Sequence, residues 1–168
     1  MNLKQPIAVL VVLALAGGGW ALVQRRIRTT AVAGTAHDQV KPHQDQPPHG
    51  GTPIVLGDEQ FHVELVRDPA AGALRAYILD GEMEDFIRIG AKAFTIQVER
   101  DGRKDSLTFR PVADLATGET VGDTSLFEAR ADWIKGTDHF KGVIVNLPIQ
   151  DQVFRAVAFA FPEGNDKD

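Results

Sequence analysis

Two histidines and a glutamate near the start of the folded part of this chain have residue types that bind metal ions. His62 and Glu64 belong to the alternating run 61–65, so on a β-strand their side chains share one face, roughly 6.5 to 7 Å apart. An imidazole and a carboxylate at that spacing can reach one divalent cation such as Zn²⁺, Cu²⁺, Ni²⁺ or Co²⁺. His49 precedes two glycines that let the chain fold back, which makes it the candidate third ligand.

The sequence therefore predicts a metal site at His49, His62 and Glu64, with Zn²⁺ or Cu²⁺ as the ion. The chain has no cysteine and only two methionines, so soft Cu⁺ is disfavoured. The alternative interpretation is that His62 and Glu64 are ordinary polar residues on the water-facing side of a strand. On this alternative His49 is one histidine of a polar linker.

Other chemical motifs are absent from the sequence. It contains no Gly-x-Ser-x-Gly, no Gly-rich phosphate loop and no His-Glu-x-x-His. Ser106 and Ser125 are the only serines, and neither has the sequence context of a nucleophile. We therefore expect a protein that is not an enzyme and has no cofactor other than a possible metal ion.

The charge is unevenly distributed along the chain. Residues 37–168 carry all 23 acidic residues and all but four of the 18 basic ones, and hence a net charge of −9. A domain this acidic is repelled by phosphate backbones, which excludes nucleic acid as a partner.

Residues 7–23, after a short tail of residues 1–6, form an apolar run without charge. As a helix the run would be roughly 26 Å long, close to the thickness of a bilayer core, and Trp20 lies near one end. We predict an uncleaved transmembrane anchor; the alternative is a signal peptide cleaved after Ala14-Leu15-Ala16.

Three arginines follow the run and favour a cytoplasmic C-terminus by the positive-inside rule. The resemblance given below favours export.

Residues 24–52 have the composition of a flexible tether, rich in Thr, Ala, Gln, Gly and Pro without an apolar period. His37, His43 and His49 recur in it every six residues. This spacing is compatible with weak metal capture, but we favour the interpretation as a polar linker that contains histidine.

Residues 53–162 have the pattern of β-strands. Alternating apolar residues begin with Phe61, Val63 and Leu65, and about seven such runs are separated by turn sequences such as "RDGRK". The segment 131–137 predicts a single helical turn, and residues 163–168 a disordered tail. Seven short strands in about 110 residues predict an all-β, immunoglobulin-like antiparallel sandwich.

Four stretches, "HGG", "LGDEQFHVELV", "LRAYILDG" and "FTIQVERDGRKDSLTF", together resemble the N-terminal domain of periplasmic adaptors of cobalt–zinc–cadmium-type RND efflux pumps. The matching positions are His49, Gly50 and Gly51, then Arg75, Tyr77, Asp80 and Gly81. The resemblance covers residues 49 to about 110. It implies a single-pass inner-membrane protein with its domain in the periplasm, accessory to heavy-metal handling or efflux.

Those adaptors continue into a lipoyl-like hairpin and barrel domains, so we expect that this chain is not a complete adaptor. Two functions stay open. The first is a metal-linked binding module that contacts an efflux component. The second is a non-metal interaction or structural domain that contacts another cell-envelope protein.

Overall fold

The computed structural model describes residues 46–166. The predicted tail and anchor at residues 1–23, and the tether up to residue 45, lie outside the described residues. Within residues 46–166 no helix has the length and apolar character needed to cross a bilayer.

Eight antiparallel β-strands and one 3₁₀ turn make up the domain, which confirms the predicted all-β class. The strands are β1 (Thr52–Leu56), β2 (Phe61–Asp68), β3 (Ala73–Asp80), β4 (Phe94–Arg100), β5 (Arg103–Pro111), β6 (Leu126–Arg130), β7 (Phe140–Ile149) and β8 (Gln152–Phe161). The 3₁₀ turn, Asp132–Lys135, lies inside the predicted helical segment 131–137. β1 was not predicted, because the short run "TPIVL" contains a proline and follows a polar stretch.

The strands are hydrogen-bonded in the order β1-β2-β3-β6-β5-β4-β7-β8, and the sheet curves until it nearly closes on itself. β5 and β6 share only two residue pairs, Arg110↔Glu128 and Pro111↔Phe127, which is the shortest pairing between neighbouring strands of the sheet. The side chain of Asn165 approaches the free edge of β1: its Oδ1 accepts from the Val55 N–H (2.7 Å) and its Nδ2 donates to the Val55 carbonyl (3.1 Å). Residues assigned to the tail by sequence thus complete the edge of the domain.

The core fills the inside of the curved sheet with aliphatic and aromatic side chains from every strand. Phe94 stacks on Phe109 at 4.8 Å between ring centroids, and Phe127 meets Phe94 edge-on. Burial of each such side chain contributes roughly 1.5–3 kcal/mol. This core holds β2 and β3 in fixed register, and those two strands carry the candidate site.

One predicted alternation is wrong. Val143 and Val145 were expected on the same inward face as Leu147 and Ile149, but the structure buries Gly142 and Ile144 instead and leaves Val145 39% exposed. The inward face changes phase at Val145, opposite Ala156, whose φ of 53° interrupts the regular extended backbone of β8. A local irregularity at Val145 and Ala156 therefore determines which residues point inward, and alternation alone does not reveal it.

Candidate functional site

The polar face of β2 is buried. His62 and Glu64 share this face as predicted, but Glu64 is 0% and His62 4% exposed. The alternative interpretation, in which both are ordinary polar residues facing water, is therefore wrong. Glu64 is buried because residues just before β1 lie against it. A buried carboxylate is tolerated in proteins only when other groups satisfy it, so its partners define the site.

Glu64 is held by the segment His49–Gly51. Its Oε1 accepts hydrogen bonds from the backbone N–H groups of His49 and Gly51, both at 2.8 Å. Its Oε2 lies 2.8 Å from Nδ1 of His49. A carboxylate accepts hydrogen bonds, so Nδ1 carries the proton of this contact. Three charge-assisted hydrogen bonds thus replace the water that Glu64 loses on burial.

The two glycines after His49 have distinct structural roles. Gly50 adopts a φ of 65°, a left-handed conformation that is disfavoured for residues with a Cβ. A Cβ on Gly51 would lie 2.6 Å from the Leu65 carbonyl oxygen and 2.8 Å from Cγ of Glu64. Only glycine therefore lets the backbone approach β2 closely enough for both amides to reach Glu64. The sequence "HGG" encodes a turn and a close contact in succession.

His62 has a different partner from His49. Its Nδ1 lies 3.2 Å from the backbone carbonyl oxygen of Asp80 at the end of β3, to which it donates. Of the three predicted ligands, the structure brings His49 and Glu64 into direct contact. No group of three or more His, Asp or Glu side chains within residues 46–166 is arranged to hold a metal ion. The metal site stays a prediction.

Two further aromatic side chains surround His49. Tyr77 on β3 is paired with Glu64 on β2, and its ring stacks on the imidazole of His49 at 3.8 Å and 15°. Phe86 follows the turn after β3 and lies 5.7 Å from His49 and 6.1 Å from Tyr77, tilted to both. Its side chain is 46% exposed. We call His49, Tyr77 and Phe86 the aromatic group.

Sequence reasoning used Tyr77 only as part of the resemblance and did not single out Phe86. The position of Tyr77 beside Glu64 could have been predicted from the sequence, since an antiparallel β2–β3 hairpin in this register pairs the two residues. The position of Phe86 could not, because it depends on the irregular chain after β3, where Met83 has a φ of 53°.

The aromatic group forms one wall of a cleft of about 410 Å³. The other residues that line it are Arg88, Asp114, Thr117, Glu119, Ser125 and Leu126. Arg88 donates to the Thr117 carbonyl at 2.6 Å and lies 3.6 Å from both Glu119 and Asp123. Glu119 also accepts from the N–H and the Oγ of Ser125, at 3.0 and 2.7 Å. The far wall is thus a hydrogen-bonded polar network.

Burial raises the pKa of Tyr77 above its ordinary value. The positive charge of Arg75 opposes this rise, while the carboxylates of Glu64, Glu128 and Asp114 add to it. At neutral pH the phenol is therefore a neutral ring with an O–H donor.

Comparisons with family models, with curated proteins and with solved structures found no match to this chain. The resemblance to efflux adaptors stays a prediction, and the function has to be inferred from the geometry of the cleft.

Proposed function

We propose that this domain is a binding module and that the cleft beside the aromatic group is where it contacts another protein of the cell envelope. The observation that carries the proposal is the aromatic group itself, fixed at the surface by the buried carboxylate of Glu64. Aromatic side chains that are rigid before binding lose little conformational entropy and often dominate the affinity of protein interfaces.

Exposed apolar residues in a loop that contributes to the cleft support this function. Besides Phe86, Leu115 is 94% and Val121 70% exposed, and both belong to the loop between β5 and β6 that supplies Asp114, Thr117 and Glu119 to the cleft. Large apolar side chains in contact with water are a common mark of interaction surfaces when they accompany a preformed cleft.

The location of the module is part of the proposal. The charge-free residues 7–23 support an anchor in the inner membrane, and the resemblance to efflux adaptors supports a periplasmic domain. The finer fold assignment, an immunoglobulin-like sandwich, is supported by the thin β5–β6 contact. On this assignment β1, β2, β3 and β6 would form one layer and β5, β4, β7 and β8 the other.

We propose binding rather than catalysis as the activity. The serine that lines the cleft, Ser125, is 3% exposed, and its hydroxyl donates to Glu119 rather than to a histidine. A serine nucleophile needs an adjacent general base and access to the substrate.

The metal-linked function is the second candidate. In its favour, His49 donates Nδ1–H to a carboxylate, the arrangement that orients many metal-bound histidines through their other nitrogen. It ranks second because the described residues gather no set of three ligands. Calorimetric titration of the full chain with Zn²⁺, purified without a histidine tag, separates the candidates. A saturable site that His49→Ala removes would put the metal-linked function first.

Site-specific photocrosslinking tests the interaction function. The full chain carries a photoreactive phenylalanine at position 86 or, as a control of similar exposure, at position 153, where Val153 is 43% exposed. We expect an envelope protein to crosslink from position 86 and not from position 153. The purified partner should then bind Phe86→Ala at least about tenfold more weakly than the parent. Equal affinity for the two would contradict the proposed function.

A further inference from the structure

We propose that the cleft recognises an arginine side chain of the partner, with the guanidinium against the aromatic group and paired with Asp114. This inference rests on the proposed function and names the chemistry that the site selects. The argument uses the balance of charges in the cleft, the arrangement of the rings and the state of Arg88.

The carboxylates around the cleft differ in how far they are neutralised. Glu64 is engaged by His49 and two backbone amides, and Glu119 and Asp123 share Arg88. Asp114 accepts one hydrogen bond, from the N–H of Ala116 at 2.8 Å, and has no ion-pair partner among residues 46–166. Asp114 is therefore the carboxylate that is free to bind a cation supplied by a ligand.

The rings favour a flat cation. His49 and Tyr77 stack on each other, while Phe86 is tilted by 59° and 64° to them and is 46% exposed, which leaves aromatic surface open to the cleft. A guanidinium is planar and weakly hydrated, stacks on aromatic faces and also forms forked hydrogen bonds to a carboxylate. An ammonium group satisfies the carboxylate but not the flat aromatic surface, so arginine fits better than lysine.

Arg88 is the cation that opposes such a ligand, and the structure shows how its charge is compensated. Its guanidinium faces the carboxylates of Glu119 and Asp123 and donates to the Thr117 carbonyl. The two acidic neighbours carry more charge than Arg88 does. The net field of the far wall is therefore negative, which attracts a cation and disfavours an acidic peptide.

Tyr77 gives this proposal a clean probe, because it is the single tyrosine of the chain. Full chain labelled with 3-fluorotyrosine has one fluorine resonance, and that resonance reports on the cleft. We would titrate it with N-acetyl-arginine amide, with the uncharged isostere N-acetyl-citrulline amide and with N-acetyl-glutamate amide. We expect a saturable shift with the arginine probe, with a dissociation constant on the order of 1 mM, and little shift with the other two.

Two variants and a control locate the binding. Asp114→Asn and Phe86→Leu should each lower the affinity for the arginine probe about two- to fivefold. Asp151→Asn, which removes the same charge from the β7–β8 turn, should leave this affinity unchanged. Equal shifts with arginine and citrulline probes, or preference for glutamate, would overturn the arginine assignment. So would a resonance that changes when Arg25, Arg26 and Arg28 are replaced by Gln, because the occupant would then be the chain itself.

Failure of this inference is distinguishable from failure of the proposed function. A partner that crosslinks from position 86 and depends on Phe86, together with no response to the arginine probe, would remove only the ligand assignment. A partner that binds Phe86→Ala normally would remove the interaction function as well.

Discussion

Two ionisable side chains, Glu64 on β2 and Arg100 on β4, are withdrawn from water in different ways. Glu64 is fully buried, and each of its oxygens is hydrogen-bonded. Arg100 lies 2.8 Å from Asp105 and 4.7 Å over the ring of Trp133, yet Nε of Arg100 and Oδ2 of Asp105 are buried without a well-directed hydrogen bond.

The difference indicates what each region does. Around Glu64, hydrogen bonds to a buried carboxylate fix the position of His49, whose ring faces outward. Such a fixed aromatic ring at the surface is expected of a binding site. Around Arg100, the guanidinium lies over Trp133, which contacts Phe140. The Asp105 side chain is 36% exposed, although its paired Oδ2 is buried. We infer that Arg100 contributes mainly by packing against Trp133.

The largest effect should come from Glu64→Ala. It removes three charge-assisted hydrogen bonds and leaves two partly buried backbone amides without this partner, so the free energy of unfolding should fall by about 3 kcal/mol. Chemical denaturation of the full chain, followed by circular dichroism, measures this change. Glu99→Ala, an exposed glutamate on β4, should change stability by no more than about 0.5 kcal/mol. Equal losses of stability in the two variants would refute the role of Glu64 in holding the segment His49–Gly51.

Gly51→Ala should separate His49 from Glu64 without removing either side chain. The added Cβ overlaps the Leu65 carbonyl and the Glu64 side chain, and such overpacking costs about 1–3 kcal/mol. The matched control is Gly136→Ala, because nothing lies within 4 Å of a Cβ at Gly136. Denaturation midpoints of the two variants compare them directly. A Gly51→Ala variant as stable as Gly136→Ala would show that the segment before β1 has an alternative path.

The sequence predicted those parts of the molecule that depend on local pattern. Alternation located β2, β3, β4 and β8, and placed His62 and Glu64 on one face. It could not show that Glu64 is buried, because Glu64 is covered by His49–Gly51, which β1 and a turn separate from β2 along the chain. The cleft could not be predicted from the sequence either, because it too depends on contacts between segments that are distant along the chain. Its walls come from three separate chain segments, and Phe86 and Asp114 lie in irregular loops with no periodicity to read.

A smaller effect is expected at Arg100. Arg100→Met keeps an unbranched apolar side chain but loses the guanidinium over Trp133 and the ion pair with Asp105, whose side chain is 36% exposed. A partly exposed ion pair and a cation–π contact each contribute about 1 kcal/mol or less, so stability should fall by about 1 kcal/mol. The same denaturation assay applies, with Arg100→Ala as the variant that also removes the stem and should be the less stable of the two. If Arg100→Met lowers the free energy of unfolding as much as Glu64→Ala does, the two regions do not differ in the way proposed.

The smallest effect concerns the ionisation of Tyr77, which probes the electrostatics of the cleft. Its pKa is raised, first by burial, so the folded state holds the phenolic proton more tightly than the unfolded chain does. The resulting stabilisation is complete below the ordinary tyrosine pKa of about 10 and is lost as pH rises through the higher folded value. Phenolate absorbance follows this one group, since the chain has a single tyrosine. Arg75→Gln should raise the pKa of Tyr77 further and Asp114→Asn should lower it, whereas Asp151→Asn should leave it unchanged. If Asp114→Asn does not lower the pKa, the charge of Asp114 does not reach the aromatic group, and a guanidinium held by Asp114 would not lie against those rings.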